Sequence, residues 1–253
     1  MGQAEQKIKI IVLAAGHGKR MGNGELPKVL VLFKDKPLVH YVMEAIAASR
    51  IDVRPIVVVG QKSEQVKAAL GSDYIYVLQT EQRGTGHAVA AAESVLKGKA
   101  ETVMVLYGDQ PLITPITIKK MAQTHIVSGS TVTMATVLVP DFGDWRQGFY
   151  DFGRVIRDKA GKVVAIVEKK DATLEQLDTK EVNPSYFCFK AQWLWQNLEK
   201  LSNNNSQREY YLTDLVGLAC QQGEPITTVM VELREALGVN TPEQLVLLKN
   251  ARY

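Results

Sequence analysis

The chain reads as an α/β protein with a mostly parallel central sheet flanked by helices. Short β-branched runs alternate with amphipathic stretches at least four times in the first half, the pattern of βα units feeding a parallel sheet. The first run, Lys7 to Ala14, is almost continuously apolar, as a strand covered on both faces tends to be. Small-residue loops at Gly16 and Gly18, Gly84 and Gly86, and Gly108 follow the ends of such runs, where ligands bind in open α/β sheets.

After the first strand and its glycine loop, Leu38, Val42 and Ile46 fall at helical spacing within Pro37 to Ser49, with proline in the first turn where its missing N–H costs nothing. Ile56 to Val59 is a strand, Ser63 to Leu70 a helix with Ser63 as N-cap, and Tyr74 to Leu78 a strand. A turn through Gly84-Thr85-Gly86 leads into a helix from His87 to Leu96. Thr102 to Leu106 is the next strand, ending at Tyr107-Gly108-Asp109, with a helix from Thr114 to Val127 behind it. Past the strand Val132 to Val139, the segment Pro140 to Phe152 is rich in Gly, Asp and aromatics and fits neither period, so it is a loop or insertion. Arg154 to Arg157 and Lys162 to Glu168 alternate about a Lys159-Ala160-Gly161 turn as a hairpin. The rhythm then weakens to a strand at Tyr186 to Phe189, helices at Gln192 to Leu201 and Thr213 to Gln221, and a last strand at Ile226 to Val231. Thr241-Pro242-Glu243-Gln244 opens a final helix, with threonine as N-cap, proline at the first helical position and glutamine reaching back.

With 253 residues, 46% hydrophobic and 23% charged, the chain can bury a large core and has the composition of a globular protein. Thirty Lys and Arg against 27 Asp and Glu leave a charge of +3, too mild for a dedicated nucleic-acid binder, so any anion site is local. The N-terminus has no apolar targeting segment, and Ile10 to Ala15 is far shorter than the roughly 20 residues a membrane span needs. The expectation is a cytoplasmic protein with no membrane partner. Cys188 and Cys220 form no CxxC pair and no Cys/His cluster, which leaves zinc without a ligand set. Two buried free thiols fit better than one disulfide. No repeat or linker divides residues 1–253, which are expected to form a single domain.

The strongest local signal is Leu13-Ala-Ala-Gly-His-Gly-Lys-Arg-Met21, followed by Pro27-Lys28-Val29-Leu30. Small residues let the backbone approach a ligand, consecutive N–H groups can point at phosphate oxygens, and Lys19, Arg20 and Lys28 add positive charge. The loop is not a dinucleotide fingerprint, since Met21 stands where the third glycine belongs. Nor is it a Walker A loop, because Gly18-Lys19 is followed by Arg20 rather than Ser or Thr.

Further motifs follow in order: Leu78-Gln-x-Glu-Gln-x-Gly-Thr-Gly-His-Ala88, Leu106-Tyr-Gly-Asp-x-Pro-Leu112, Phe152-Gly-Arg-Val155, Ile166-Val-Glu-Lys-Lys-Asp-Ala172, Glu209-Tyr-Tyr-Leu-Thr-Asp214 and Gly238-Val-Asn240. Together they make the chain resemble the sugar-1-phosphate nucleotidyltransferases, most closely the uridylyltransferase (pyrophosphorylase) domains of bacterial N-acetylglucosamine-1-phosphate uridylyltransferases. The resemblance implies a Rossmann-like nucleotidyltransferase fold with a mostly parallel, mixed sheet. It also implies transfer of UMP from UTP to N-acetylglucosamine 1-phosphate with release of pyrophosphate and help from Mg²⁺. By the same resemblance, Arg20 and Lys28 neutralise phosphate charge and Asp109 and Asn240 hold the metal. Leu13, Ala14, Ala15 and Gly16, with Gln79, Gly84 and Thr85, would receive the nucleotide. Tyr107, Gly108, Gly153, Glu168, Asn183 and Asn240 complete the substrate site, although Glu168 could equally pair with the neighbouring lysines. His87 would be a helix-start residue without a chemical role, and Trp193 and Trp195 packing residues.

Two departures bear on the acceptor. Asn183 is followed by Pro184-Ser185 where close relatives continue Thr-Gly, and the segment 140–152 is longer than expected. The same chemistry on another sugar phosphate, or with dTTP or CTP, therefore stands beside the leading reading, as does a non-catalytic nucleotide-sugar sensor. The acetyltransferase half of such relatives is built from hexapeptide β-helix repeats, and this sequence contains none.

Overall fold

The computed structural model describes residues 8–16, 18, 21 and 26–250. The first half alternates strand and helix: β1 (Ile8–Ala14), a small ribbon of β2 (Leu32–Phe33) and β3 (Lys36–Pro37), α1 (Leu38–Ser49), β4 (Ile56–Val59), α2 (Ser63–Leu70), β5 (Ile75–Leu78), α3 (Thr85–Ala90), α4 (Glu93–Leu96), β6 (Thr102–Tyr107) and α5 (Pro115–Ser128). The second half carries β7 (Val132–Leu138), β8 (Gly153–Arg157), β9 (Val163–Val167), α6 (Leu174–Leu177), β10 (Glu181–Asn183), β11 (Phe187–Lys190), α7 (Ala191–Leu198), α8 (Asp214–Gln221), β12 (Ile226–Met230) and α9 (Pro242–Asn250).

Ten strands form one mixed sheet in the order β5-β4-β1-β6-β11-β7-β10-β8-β9, with β12 also paired to β7. Strands β5, β4, β1 and β6 are mutually parallel, whereas β11 runs antiparallel to both β6 and β7. From β1 the chain moves outward to β4 and β5, then returns to β6 on the other side of β1. The strand order reverses between β1 and β6, and the crevice beyond their carboxyl ends is where open α/β sheets bind ligands.

The continuous apolar run of β1 is explained by burial on both sides. Ile10, Val12, Val57, Met104 and Leu106 pack with Val42, Ile46, Ile118 and Met121 of α1 and α5. Ile11, Leu13, Val58 and Val105 pack with Val89, Leu194, Leu215 and Val216 of α3, α7 and α8. Trp193 and Trp195 are buried in this second layer. Cys188 is buried, Cys220 is partly buried, and neither is in a disulfide. Among the described residues no helix is long and apolar enough to cross a membrane.

Several local expectations shift. The helix expected from His87 to Leu96 begins at Thr85 and is broken into α3 and α4, while Ala88, Val89, Ala92 and Leu96 still share one buried layer. Pro37 precedes α1 and pairs with Leu32 in the ribbon. Lys62 occupies the N-cap position of α2, and the Ser63 hydroxyl bonds Glu64 instead. The strand expected at Tyr186 to Phe189 is β11, and a short β10 that was not expected precedes it and stops at Asn183, because Pro184 has no N–H to pair and Ser185 is left-handed, with φ of 69°.

The segment 140–152 is ordered by its own aromatics. A 3-10 stretch, Asp144–Asp151, buries Phe149 completely, and Phe149 meets Trp145 and Phe152 edge to face. Arg154 is also fully buried. Its guanidinium donates to the carbonyls of Phe152, Tyr150 and Leu177 and lies 5.0 and 5.1 Å from the rings of Phe142 and Tyr150. Phe149→Ala is expected to cost about 3–5 kcal/mol in denaturant unfolding, the usual range for a buried aromatic reduced to alanine.

Candidate active site

Pro27 precedes a 3-10 turn, Lys28–Leu30, whose Val29 and Leu30 are buried. With its neighbours anchored, Lys28 reaches across the crevice: its Nζ donates to Asp109 Oδ2 and, at 2.8 Å, to Asn240 Oδ1. Asp109 follows Gly108 at the end of β6 and is 6% exposed. The Asp109 carbonyl accepts the Val239 N–H at 3.0 Å, which ties the two loops by backbone as well. Val239 itself is buried with Phe33, Leu38 and Leu248, so the β2-β3 ribbon and α9 together clamp the approach to Asn240. Gln244 reaches back as expected, but to the Asn240 N–H at 2.7 Å rather than to that of Thr241.

The two residues that the resemblance assigns to a metal thus turn their oxygens toward one positive charge. A carboxylate and an amide carbonyl are hard oxygen donors. Among the described residues no group of three or more His, Cys, Asp or Glu could hold a metal. That donor set suits Mg²⁺, which commonly takes one or two protein oxygens and fills its remaining positions with phosphates and water.

Beside this cluster lies a cavity of about 230 Å³ whose wall includes Leu13, Ala15, Gly16, Lys28, Gln79, Gly84, Thr85, Tyr107 and Asp109. Ala14 lies outside it, in a smaller cleft shared with Ala15 and Gly16. Gly108 underlies the cavity by donating its N–H to Leu13 O at 3.0 Å, a bond between the ends of β6 and β1. Gln79 is 3% exposed. Its Nε2 meets Gly84 O and His87 Nδ1, both at 3.1 Å. With the amide nitrogen engaged on both sides, what Gln79 has left to offer is its carbonyl oxygen, an acceptor.

The loop carrying Gly84 is docked by backbone contacts on residues 209–212. Gly86 N–H donates to Tyr210 O at 2.8 Å, Tyr210 N–H to Arg83 O at 2.7 Å, and Leu212 N–H to Thr85 Oγ1 at 3.0 Å. Glycine is required at Gly84, where φ is +108° and a Cβ would lie 2.6 Å from Tyr210 O.

On the other side of Tyr107 stand Gly153, Glu168 and Asn183. Gly153 pairs with Asn183 across β8 and β10, and a Cβ at Gly153 would meet Ile166 at 2.7 Å. Glu168 accepts the Thr213 hydroxyl at 2.9 Å, which diverts that hydroxyl from capping α8. The neighbouring lysines do not pair with it, since Lys169 bonds Asp151 and Lys170 bonds Gln207. Burial pushes the Glu168 carboxyl above its ordinary range, with Thr213 acting against the rise. Asn183 Oδ1 accepts the Ser185 N–H at 3.0 Å. Ser185 and Thr85 both lie beside the Tyr107 phenol, which burial holds above its ordinary range while those two hydroxyls act against the rise.

Every expected site residue except Arg20 can therefore be placed; Arg20 lies outside the described residues. Sequence reasoning did not single out Gln82, whose Nε2 donates to Ala15 O and links the first glycine loop to the second, or Glu209, which lines the cavity. Both stood within recognised motifs, but neither residue type signals chemistry by itself. His87, expected to start a helix, sits in the first turn of α3 and orients Gln79.

Residues 10–213 match the model of the MobA-like NTP transferase domain. Among curated proteins, the chain is 43% identical over 93% of its length to the bifunctional protein GlmU of Clostridium acetobutylicum, covering 50% of that protein. It is 41% identical over 91% of its length to the bifunctional protein GlmU of Shouchella clausii, covering 49% of that one. The chain thus spans about half the length of these relatives. A crystal structure of a UDP-glucose pyrophosphorylase complexed with UDP-glucose superposes with a TM-score of 0.73 at 18% identity, covering 97% of this chain and 98% of that one, a likeness of fold. With the family model covering most of the chain and the crevice at the sheet's switch point carrying its motifs, this protein belongs to the MobA-like NTP transferase family and is a nucleotidyltransferase.

Proposed function

We propose that the protein transfers UMP from UTP to N-acetylglucosamine 1-phosphate, releasing pyrophosphate, and that residues 1–253 act as one nucleotidyltransferase domain. The observation that carries this reading is the convergence of Lys28, Asp109 and Asn240 beside a base-sized cavity at the sheet's switch point. The similarity to bifunctional GlmU proteins supports the same choice.

In the reaction an oxygen of the sugar phosphate attacks the α-phosphorus in line. A new P–O bond forms, the bond from the α-phosphorus to the bridging oxygen breaks, and pyrophosphate leaves with the electron pair. Two polyanions must meet, so the protein's tasks are positioning and charge neutralisation. Lys28 supplies a cation at the crevice, and the resemblance adds Arg20. Asp109 and Asn240 would hold Mg²⁺, which when bound offsets phosphate repulsion. Gln79 presents an acceptor, which suits the imino N–H of uracil and mismatches the unprotonated ring nitrogen of cytosine. Glu168, Asn183 and the Gly153 backbone would receive the sugar, with the family's backbone donors altered by the left-handed turn at Ser185. That altered corner is the observation favouring the second reading, the same transfer to a different hexose or amino-sugar phosphate.

A panel of UTP, dTTP and CTP against N-acetylglucosamine 1-phosphate and glucose 1-phosphate, read by pyrophosphate release with Mg²⁺, is expected to give the highest rate with UTP and N-acetylglucosamine 1-phosphate and the lowest with CTP. No release from the folded protein with any pair would overturn the proposal. Asp109→Asn should raise the Mg²⁺ concentration for half-maximal rate by roughly tenfold or more, since ligand charge sets affinity for such cations. An unchanged metal titration removes Asp109 from that role.

Glu168 gives a pH prediction. Its folded value lies above the ordinary 4.5, so the folded state holds the proton more tightly. The stabilisation is complete below that ordinary value and is lost as pH rises through the raised one. In thermal unfolding from pH 4.5 toward neutrality, Glu168→Gln should therefore gain stability relative to the parent chain. A difference that does not vary with pH would show that Glu168 has no raised value.

A further inference from the structure

Gln110 follows Asp109 directly and is 5% exposed. Its Nε2 donates to Pro184 O at 2.7 Å and to Ala236 O at 3.4 Å. Those two carbonyls fix the amide's orientation, because flipping it would set its own oxygen against two acceptors. Gln110 Oε1 is left buried with no hydrogen-bond partner. A buried acceptor without a donor is costly, and an aliphatic residue would fill the same volume without stranding one. Packing alone thus does not explain a glutamine at this point.

The two carbonyls lie in separate segments. Pro184 is the corner between β10 and β11, where the chain departs from the family pattern. Its carbonyl direction is set by the Asn183 Oδ1 to Ser185 N–H bond and by the left-handed Ser185. Ala236 ends the 3-10 turn Leu233–Ala236 on the way to Asn240. A second bond joins the same two segments, from the Tyr186 hydroxyl to Glu235 O at 2.6 Å. Gly238 closes the approach, since a Cβ there would lie 3.3 Å from Gln110 Cγ.

We infer that Gln110 is a positioning residue that sets the spacing between the Asp109–Asn240 pair and the 183–186 corner, and that Gln110 and Pro184 act as one coupled determinant of acceptor selectivity. The selectivity part rests on the proposed uridylyltransferase reading. In that reading the nucleotide is held by Gln79, Gly84 and Thr85, on the other side of Tyr107. A loosened corner then weakens acceptor binding and leaves UTP binding intact.

The test uses Gln110→Met, which keeps the length of the side chain and removes both the donor bonds and the stranded acceptor. The apparent KM for N-acetylglucosamine 1-phosphate is expected to rise roughly five- to tenfold, the loss of about one hydrogen bond, with the KM for UTP unchanged. Preference between N-acetylglucosamine and glucose 1-phosphates should narrow in parallel. An unchanged acceptor KM, or an equal rise for UTP, overturns the inference. Pro184→Gly, with Pro184→Ala as the milder change, completes a double-mutant cycle: effects less than additive with Gln110→Met support coupling, and additive effects refute it. If the parent chain turns over neither acceptor, it is the proposed function that fails. The Gln110–Pro184 coupling is then read from the same cycle in denaturant midpoints, where additivity again overturns it.

Discussion

The contact on which the site depends is the one Lys28 makes with Asp109 and Asn240. It joins a turn reached from β1, the loop after β6 and the segment before α9, with sequence separations of 81 and 212 residues between the partners. The side chains are 18% and 8% exposed at the Lys28 and Asp109 ends. A carboxylate so enclosed is costly without a positive partner. The crevice therefore requires cationic charge, and the geometry of the loops keeps two oxygen donors gathered around it. Phosphate chemistry needs the same concentration of charge, so the structural demand and the proposed chemical one coincide.

The sheet makes this contact attainable. Reversal of strand order between β1 and β6 brings two loop ends side by side, and helices on both faces hold those strands rigid. The remaining parts are locked by backbone rather than by side chains: Arg83 and Gly86 against Tyr210, Gly108 against Leu13 and Asp109 against Val239. Positions fixed by main-chain bonds leave little room to drift, which suits a site whose work is placing charges.

Features encoded by local pattern were legible in the sequence. The double-sided burial of β1, the hairpin of β8 and β9, the start of α5 at Thr114 and the Gln244 reach-back all rest on spacing within a few residues. Asp109 and Asn240 were legible only through motif resemblance, because nothing near either residue announces that both meet Lys28. What escaped detection depends on distant partners. The ribbon of β2 and β3 has two residues per strand, too few for a period, and is held by burial of Phe33 against Leu38, Val239 and Leu248. β10 has three residues and ends at a proline. The segment 140–152 gains its order from aromatic contacts around a buried arginine, which no periodicity reveals. Thr213 read as a helix start, yet its hydroxyl goes to Glu168, a choice that only the fold can make.

The antiparallel placement of β11 beside β6 has a further consequence. A parallel neighbour would bring its carboxyl end to the crevice, whereas β11 brings its beginning, so that the 183–186 corner arrives level with Tyr107. The rim is thereby split along a seam. On one side the loops after β4, β5 and β6 are short βα connections of a parallel sheet, constrained by the strands that launch them. On the other, turns and an inserted aromatic segment can lengthen or change composition without shifting a strand of the parallel half. A fold divided in this way can retain one half of its binding surface unaltered while the other diversifies, and the proline at position 184 and the long 140–152 segment both fall on the side that is free to change.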